Sequence, residues 1–262
     1  PRFKGQEILF AHLTSHTSAL PRMPVNWDGA DPKDPFAHYD EDLLYAGLGE
    51  TTLPRLPGKT YAYSNLAAGL LGHLLVRMQG SDRYQSLLDA RICTPLGLKD
   101  TVTRVSKAQA KRLAPPYTAT GDERQNWTFY ALVGAGGLRS TVTDMLNFSA
   151  AVLGLKGLEG DAGHLQDAFR LTQQPLYVPG FPQRWTKPSV GCGWHLGPGK
   201  NLVWHNGATA GYRSMLLLDT KEKSAVVVLS NTTSKLVDKV ARQIYDAAAG
   251  KKVTPVAVRK PV

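Results

Sequence analysis

Cysteine is nearly absent: Cys93 and Cys192 are the only two in 262 residues. Their wide separation excludes a disulfide-stapled scaffold and a cysteine-rich zinc module. Both sit in apolar or glycine-rich surroundings, where a buried free thiol is the default and a single bridge stays open. Long hydrophobic runs are missing too. No stretch approaches the ~18 apolar residues of a membrane span, and no secretory signal opens the chain. The sequence starts at Pro1 without a methionine, which reads as a processed product or a partial chain, so a missing targeting signal carries no weight. Internal repeats and low-complexity tracts are lacking, and the 25 glycines and 17 prolines are spread along the chain as turn punctuation.

Negative charge is in deficit, with 21 acidic against 31 basic residues and a formal charge of +10. That balance suits nucleic acid, an anionic envelope surface or acidic substrates. The basic residues are scattered and do not interleave with aromatics as a nucleic-acid reader requires, which argues against a nucleic-acid partner. Metal spacing is poor as well. His12 and His16 stand four apart, but no Glu follows His12 and no third ligand is near, so helix-end hydrogen bonding is the better reading. Asp28, Asp31 and Asp34 lack the calcium-loop pattern with its closing Glu and read as a solvated acidic loop. The Gly-rich stretch Gly134-Ala135-Gly136-Gly137 has neither the Lys-Ser/Thr pair of a phosphate loop nor a strand-to-helix GxGxxG unit. It reads as close backbone packing beneath a cleft.

What is present suits a globular protein: 42% of residues are hydrophobic and 20% charged, over a length that supports one large domain or two interleaved subdomains. A short helix from Ile8 ends in a polar turn stopped by Pro21. Residues 23–54 form a long Pro/Asp/Gly-rich loop region, with a helix at Asp40–Leu48, of the kind that walls a cleft. Helical periodicity follows at Leu66–Met78, at Arg83–Ile92 behind a Ser81-Asp82 cap, and at Met145–Leu155; residues 105–127 are a polar excursion over the surface. The last third turns to antiparallel strands at Cys192–Leu196, Leu202–His205, Tyr212–Asp219 and Ser224–Ser230. A closing amphipathic helix at Leu236–Ala249 carries Leu236, Val240 and Ile244 on one face. The expected class is α+β, with residues 22–190 mainly helix and loop and residues 191–250 sheet plus closing helix.

Two stretches carry chemistry. In Pro57-Gly58-Lys59-Thr60-Tyr61-Ala62-Tyr63-Ser64-Asn65 a turn feeds a short run with tyrosines two apart, and Ser64 or Asn65 caps the helix that follows. This junction aims Tyr63 and Asn65 outward. The second is Trp204-His205-Asn206-Gly207-Ala208, where a strand-end His and a bare glycine leave room for a substrate backbone along the strand edge.

Together these stretches resemble the Tyr-x-Asn and His/Lys-x-Gly motifs of class C β-lactamases and class-C-like D-alanyl-D-alanine peptidases and esterases. The likeness continues through Leu13-Thr14-Ser15-His16-Thr17-Ser18-Ala19-Leu20-Pro21, Pro95-Leu96-Gly97-Leu98-Lys99-Asp100-Thr101 and Gly136-Gly137-Leu138-Arg139-Ser140-Thr141, in the family's order. Its wording is nearest to envelope carboxypeptidase/endopeptidases. The resemblance implies a β-lactamase/transpeptidase-like fold, a periplasmic or secreted location, no cofactor, and acyl transfer from a serine set in Ser-x-x-Lys. It makes Tyr63 the acylation base and acid toward the leaving group, Asn65 the grip on the acyl amide, His205 the group that polarises Tyr63, and the Ala208 N–H an oxyanion donor. An ionised phenol near neutral pH requires cationic neighbours, expected to be His205 and the lysine of that motif. Gly207 and Asn206 would line the substrate, with Arg213 and Asn231 as further binding candidates.

Two departures stand out. No Ser has a Lys three positions later; only Thr220-Lys223 and Thr232-Lys235 come near. A segment or chain carrying Ser-x-x-Lys, together with the family's N-terminal strands, is therefore expected outside these residues, which would then form the C-terminal part of one domain; the alternative is a non-catalytic relative that binds peptides in the same groove. Asn206 stands where a hydroxyl residue commonly binds a substrate carboxylate, which leaves esters and amides open beside peptidoglycan stem peptides and β-lactams.

Overall fold

The computed structural model describes residues 1–158, 162–179, 189–197, 201–254 and 256. Helix α3 (Asn65–Met78) is the axis of the helical part. Ser64 is its cap: the Oγ accepts from Ala67 N–H at 2.9 Å and donates to Pro21 O at 2.6 Å. Asn65 is thus the first helical residue. Leu66, Ala67 and Leu70 bury against Leu13 of α1 (Phe10–Thr14), Leu44 of α2 (Glu41–Glu50) and Leu132. The glycine-rich stretch lies on this helix as close backbone packing. A Cβ at Gly134 would fall 2.7 Å from the Ala68 carbonyl oxygen, so no side chain fits there.

Helix α4 (Tyr84–Leu88) passes through a π turn at Asp89–Cys93 into α5 (Thr94–Leu96). Arg83 occupies the cap position of α4 without a side-chain bond, so Ser81 and Asp82 do not cap it. Helix α6 (Lys107–Ala110) is short, and α7 (Val142–Val152) starts three residues before the expected Met145 because Thr141 Oγ1 accepts from Asp144 N–H at 3.2 Å. Asp144, buried, also takes the N–H of Asp100 and the hydroxyl of Thr101, each at 2.8 Å. That clasp joins Pro95–Thr101 to Gly136–Thr141. Helix α8 (Gly163–Thr172), which buries Phe169, has no counterpart in the sequence reading.

The sheet is antiparallel in chain order: β1 (Ser189–Val190), β2 (His195–Leu196), β3 (Leu202–Thr209), β4 (Tyr212–Asp219) and β5 (Ser224–Ser230). Its two faces feed two cores. Val203, Leu216 and Leu218 meet Leu96, Val152 and Phe169 on one face; Trp204, Met215 and Leu217 meet Val237 and Ala241 of α9 (Leu236–Ala248) on the other. The architecture is α+β. Helices α1–α8 precede residue 173 and the strands begin at Ser189, just ahead of the expected 190/191 division. Residues 159–161, 180–188, 198–200, 255 and 257–262 of the expected domain ranges lie outside the described residues.

Four expectations are corrected. His205 is not at a strand end, because β3 continues in register through Thr209 and its small residues pair with Ser214 and Arg213. Cys192 lies outside β2, and both cysteines are free thiols. The face of α9 that packs is Val237 and Ala241, while Leu236 and Ile244 are 45% and 47% exposed. Alanine at position 241 lets the helix approach the sheet closely, which the bulkier neighbouring stripe does not. Asp34 is buried at 4% exposure, accepting from Thr128 N–H at 2.7 Å, so it staples its loop instead of facing solvent. Among the described residues no helix is long and apolar enough to cross a membrane.

Candidate active site

The polar turn after α1 runs beside the Tyr61–Asn65 junction and fixes it from the backbone. Gly58 N–H donates to Thr17 O and Ala62 N–H to His16 O, each at 2.8 Å; Asn65 N–H donates to Arg22 O at 2.9 Å. His16 holds a left-handed backbone, φ 55°, a conformation seldom kept by a non-glycine residue outside sites that need it. Its Nδ1 accepts from Ser64 N–H at 3.2 Å, while His12 Nδ1 accepts from Leu9 N–H at 3.1 Å. The two histidines therefore serve separate backbone groups.

Tyr63 leaves this junction into a box of rings. The His16 imidazole lies 4.2 Å from its ring centre, the His205 imidazole 6.2 Å, and the guanidinium carbon of Arg22 5.3 Å. The last distance is within cation–π range. Burial raises the Tyr63 pKa above the ordinary phenol value and Arg22 opposes that shift. Tyr63 is thus a protonated phenol at neutral pH, placed to donate a proton or hydrogen bond. Burial also depresses the His205 pKa, against the opposing hydrogen bond to Asn206. His205 is neutral at pH 7, so it is not the expected cation; the cationic side chain beside the Tyr63 ring is that of Arg22.

The strand beside Tyr63 has a free edge. Strand β2 pairs with β3 only at His195–Trp204 and Leu196–Val203, so beyond Trp204 that side of β3 has no strand neighbour among the described residues. Thr220 N–H donates to Asn201 O on the β4 side, and Gly197 N–H to Leu202 O on the β2 side. Alternation along an antiparallel ladder then turns the backbone groups of Asn206 and Ala208 to the free edge. The Asn206 carbonyl is taken by His205 Nδ1 at 2.7 Å, which fixes the proton on Nδ1 and leaves Nε2 bare. The Ala208 N–H remains directed outward. Gly207 keeps the strand slim here: an added Cβ would fall 2.5 Å from Ser214 Oγ.

Not every candidate is brought together. Asn206 points its side chain to the other face, where Nδ2 donates to Asp238 of α9 at 3.0 Å, because side chains alternate along a strand. Arg213, opposite Ala208, donates from Nε to Thr233 O at 3.0 Å, and Asn231 donates to Pro115 O at 2.8 Å. All three are occupied in holding segments together and do not join the Tyr63 box. Asn65 does adjoin it, its Nδ2 resting 3.4 Å from the weak thioether acceptor of Met23.

The sequence reading missed Arg22 and His195 and gave no role to Tyr61. Tyr61 had a signal, since residues two apart in an extended run point the same way. Its hydroxyl lies 3.0 Å from His195 Nε2. Among the described residues no group of His, Cys, Asp or Glu is arranged to hold a metal.

A family profile described as Beta-lactamase matches residues 1–251. The chain belongs to the beta-lactamase family. D-alanyl-D-alanine-carboxypeptidase/endopeptidase AmpH of Escherichia coli K12 is 29% identical over 239 residues, which are 88% of this chain and 60% of AmpH. The chain therefore spans about 60% of that relative's length. A class C beta lactamase from Rhodobacter sphaeroides superposes with a TM-score of 0.76 at 22% identity, over 94% of this chain and 74% of that one. A beta-lactamase/D-alanine carboxypeptidase from Pseudomonas syringae gives 0.77 at 18% identity, over 94% and 72%. These structures share the fold, and the family is one of serine hydrolases.

Proposed function

We propose that these residues form the acid/base and substrate-edge part of a serine hydrolase that works through an acyl-enzyme on D-Ala-D-Ala peptides or β-lactams. The observation that carries this reading is a half-buried phenol, Tyr63, held among His16, His205 and Arg22 beside the free edge of β3. The nucleophile is a serine in a Ser-x-x-Lys segment outside the 262 residues, since no Ser here has a Lys three positions on. Its lysine would supply the further cation that lowers the Tyr63 pKa, so that the phenolate takes the serine hydroxyl proton as the acyl bond forms. Tyr63 then passes that proton to the leaving group, while bare Nε2 of His205 accepts a hydrogen bond from the phenol or the substrate.

The Ala208 N–H and the serine's own N–H stabilise the oxyanion, and Asn65 gives up its Met23 contact to hold the acyl amide. A peptide laid along Asn206–Ala208 extends the sheet by one strand, with Gly207 allowing close approach. Peptidoglycan stem peptides as substrate place the protein in the periplasm or outside the cell.

Labelling by a fluorescent penicillin, read with intact mass, tests the proposal. The natural full-length product is expected to gain one acyl group. A full-length product that carries no Ser-x-x-Lys and takes no label would favour a second reading, a non-catalytic peptide binder that uses the same free edge. Comparing turnover of a D-Ala-D-Ala peptide, a cephalosporin and a short acyl ester ranks peptidase, lactamase and esterase.

A further inference from the structure

His195 belongs to neither motif and has no role in the scheme above, yet it is built into the same cluster. Its imidazole, 7% exposed, lies flat against that of His205, with centres 5.1 Å apart and planes 10° apart. Trp204 backs it, 4.5 Å between ring centres. Nε2 reaches the Tyr61 hydroxyl at 3.0 Å, while Nδ1 is buried and has no hydrogen-bond partner among the described residues. A buried polar nitrogen left unmet is destabilising by ~1–3 kcal/mol, so a purely packing ring at this place would be better made of carbon.

We propose that Tyr61 and His195 are positioning residues: the Tyr61 hydroxyl anchors His195, and the flat His195 ring holds the plane in which His205 keeps its Nδ1 bond to Asn206 O, and with it its tautomer, as it faces Tyr63. The inference rests on the proposed function only in the use made of His205. Two constraints define a ring plane. The bond from Nδ1 to Asn206 O supplies one, and the stack on His195 supplies the other. With Nδ1 committed, Nε2 is the one nitrogen left to address Tyr63, and its direction follows from that plane.

His195 in turn cannot rotate without breaking the Tyr61 bond. Tyr61 is itself held edge-on by His16 at 6.1 Å and stacked on Tyr177 at 6.3 Å. Burial first, then the neighbouring His205 and His16, push the His195 pKa down to about 3. The wall beside His205 is therefore uncharged at neutral pH.

The test uses the natural full-length protein. His195→Phe keeps a flat ring without the anchor, and Tyr61→Phe removes the same hydrogen bond from the other side. Histidine-ring nitrogen NMR reads the His205 tautomer directly. Wild type is expected to show one protonated Nδ1 and one bare Nε2 signal. Each variant should draw the two signals toward their average by the same amount, and the double variant no further, since both changes cut one connection. Acylation by a fluorescent penicillin should fall on the order of 10-fold in maximal rate, with the half-saturating concentration unchanged. Tyr45→Phe, which removes a 2.8 Å bond to His73 elsewhere, should alter neither readout. His205 signals identical to wild type in both variants overturn the proposal. Shifted His205 signals with no labelling of any form, wild type included, uphold the positioning and overturn the hydrolase reading.

Discussion

The two faces of β3 carry similar residues to different ends. On one face His205 and Gly207 turn toward Tyr63 and the free edge. On the other, Trp204 joins Met215, Leu217 and Ala241 in the core beneath α9, and Asn206 ties the strand to Asp238. A three-residue motif therefore contributes only the side chain of its first member to the site, with the bare face of its third and the backbone of its middle member. Adjacency in sequence is the wrong guide within a strand; parity is the right one.

The largest expected effect lies on the site face. Tyr63→Phe in the full-length enzyme should slow acylation by ~10²–10⁴-fold, the range of a lost proton-transfer group, with little change in melting temperature. An unchanged acylation rate would remove Tyr63 from the chemistry and leave both faces structural.

Acid should act next, and again through the site face. Burial, aided by neighbouring charge, pushes the His16 pKa down to about 4 and that of His195 to about 3, and burial lowers His205 as well. An unfolded histidine titrates near ~6.5. Above that value neither state binds the proton, and no stability is lost. As the pH falls below it, the unfolded chain takes protons that the folded rings refuse, so stability falls by roughly 1.4 kcal/mol per pH unit per ring until the folded values are reached. Urea melts at pH 7.5, 5.5 and 4.5 read this slope. His195→Phe should make it shallower by one proton, and an unaltered slope would show that His195 is not held neutral by the fold.

The smallest effect belongs to the opposite face. Asn206→Ala should reduce stability by ~1 kcal/mol through the lost bond to Asp238, with acylation of the folded protein close to wild type. A loss of acylation comparable to that of Tyr63→Phe would break the distinction between the faces and return Asn206 to the substrate side.

Much of the local structure was legible in the residues. The apolar spacing of Leu66 to Met78 and the Ser64 cap define α3, and Ala225-Val226-Val227-Val228-Leu229 reads as strand whatever it packs against. Helix α9 was legible as a helix, but its buried stripe was not. Leu236, Val240 and Ile244 and the stripe one residue on both satisfy the helical period, and fit against the sheet chose the one containing Ala241. Helix α8 was missed outright.

The site divides in the same way. By itself the sequence determined the turn, the tyrosines two apart, the cap and the slim strand at Gly207, because each depends on neighbours a few residues away. Only the tertiary structure decided that Arg22 rather than His205 is the cation at Tyr63, that β3 runs past His205 with a free edge, and that Tyr61 meets His195 across 134 residues of chain. Those outcomes depend on burial and on long-range packing. The same imidazole is an ordinary acid in water and a neutral ring in the core.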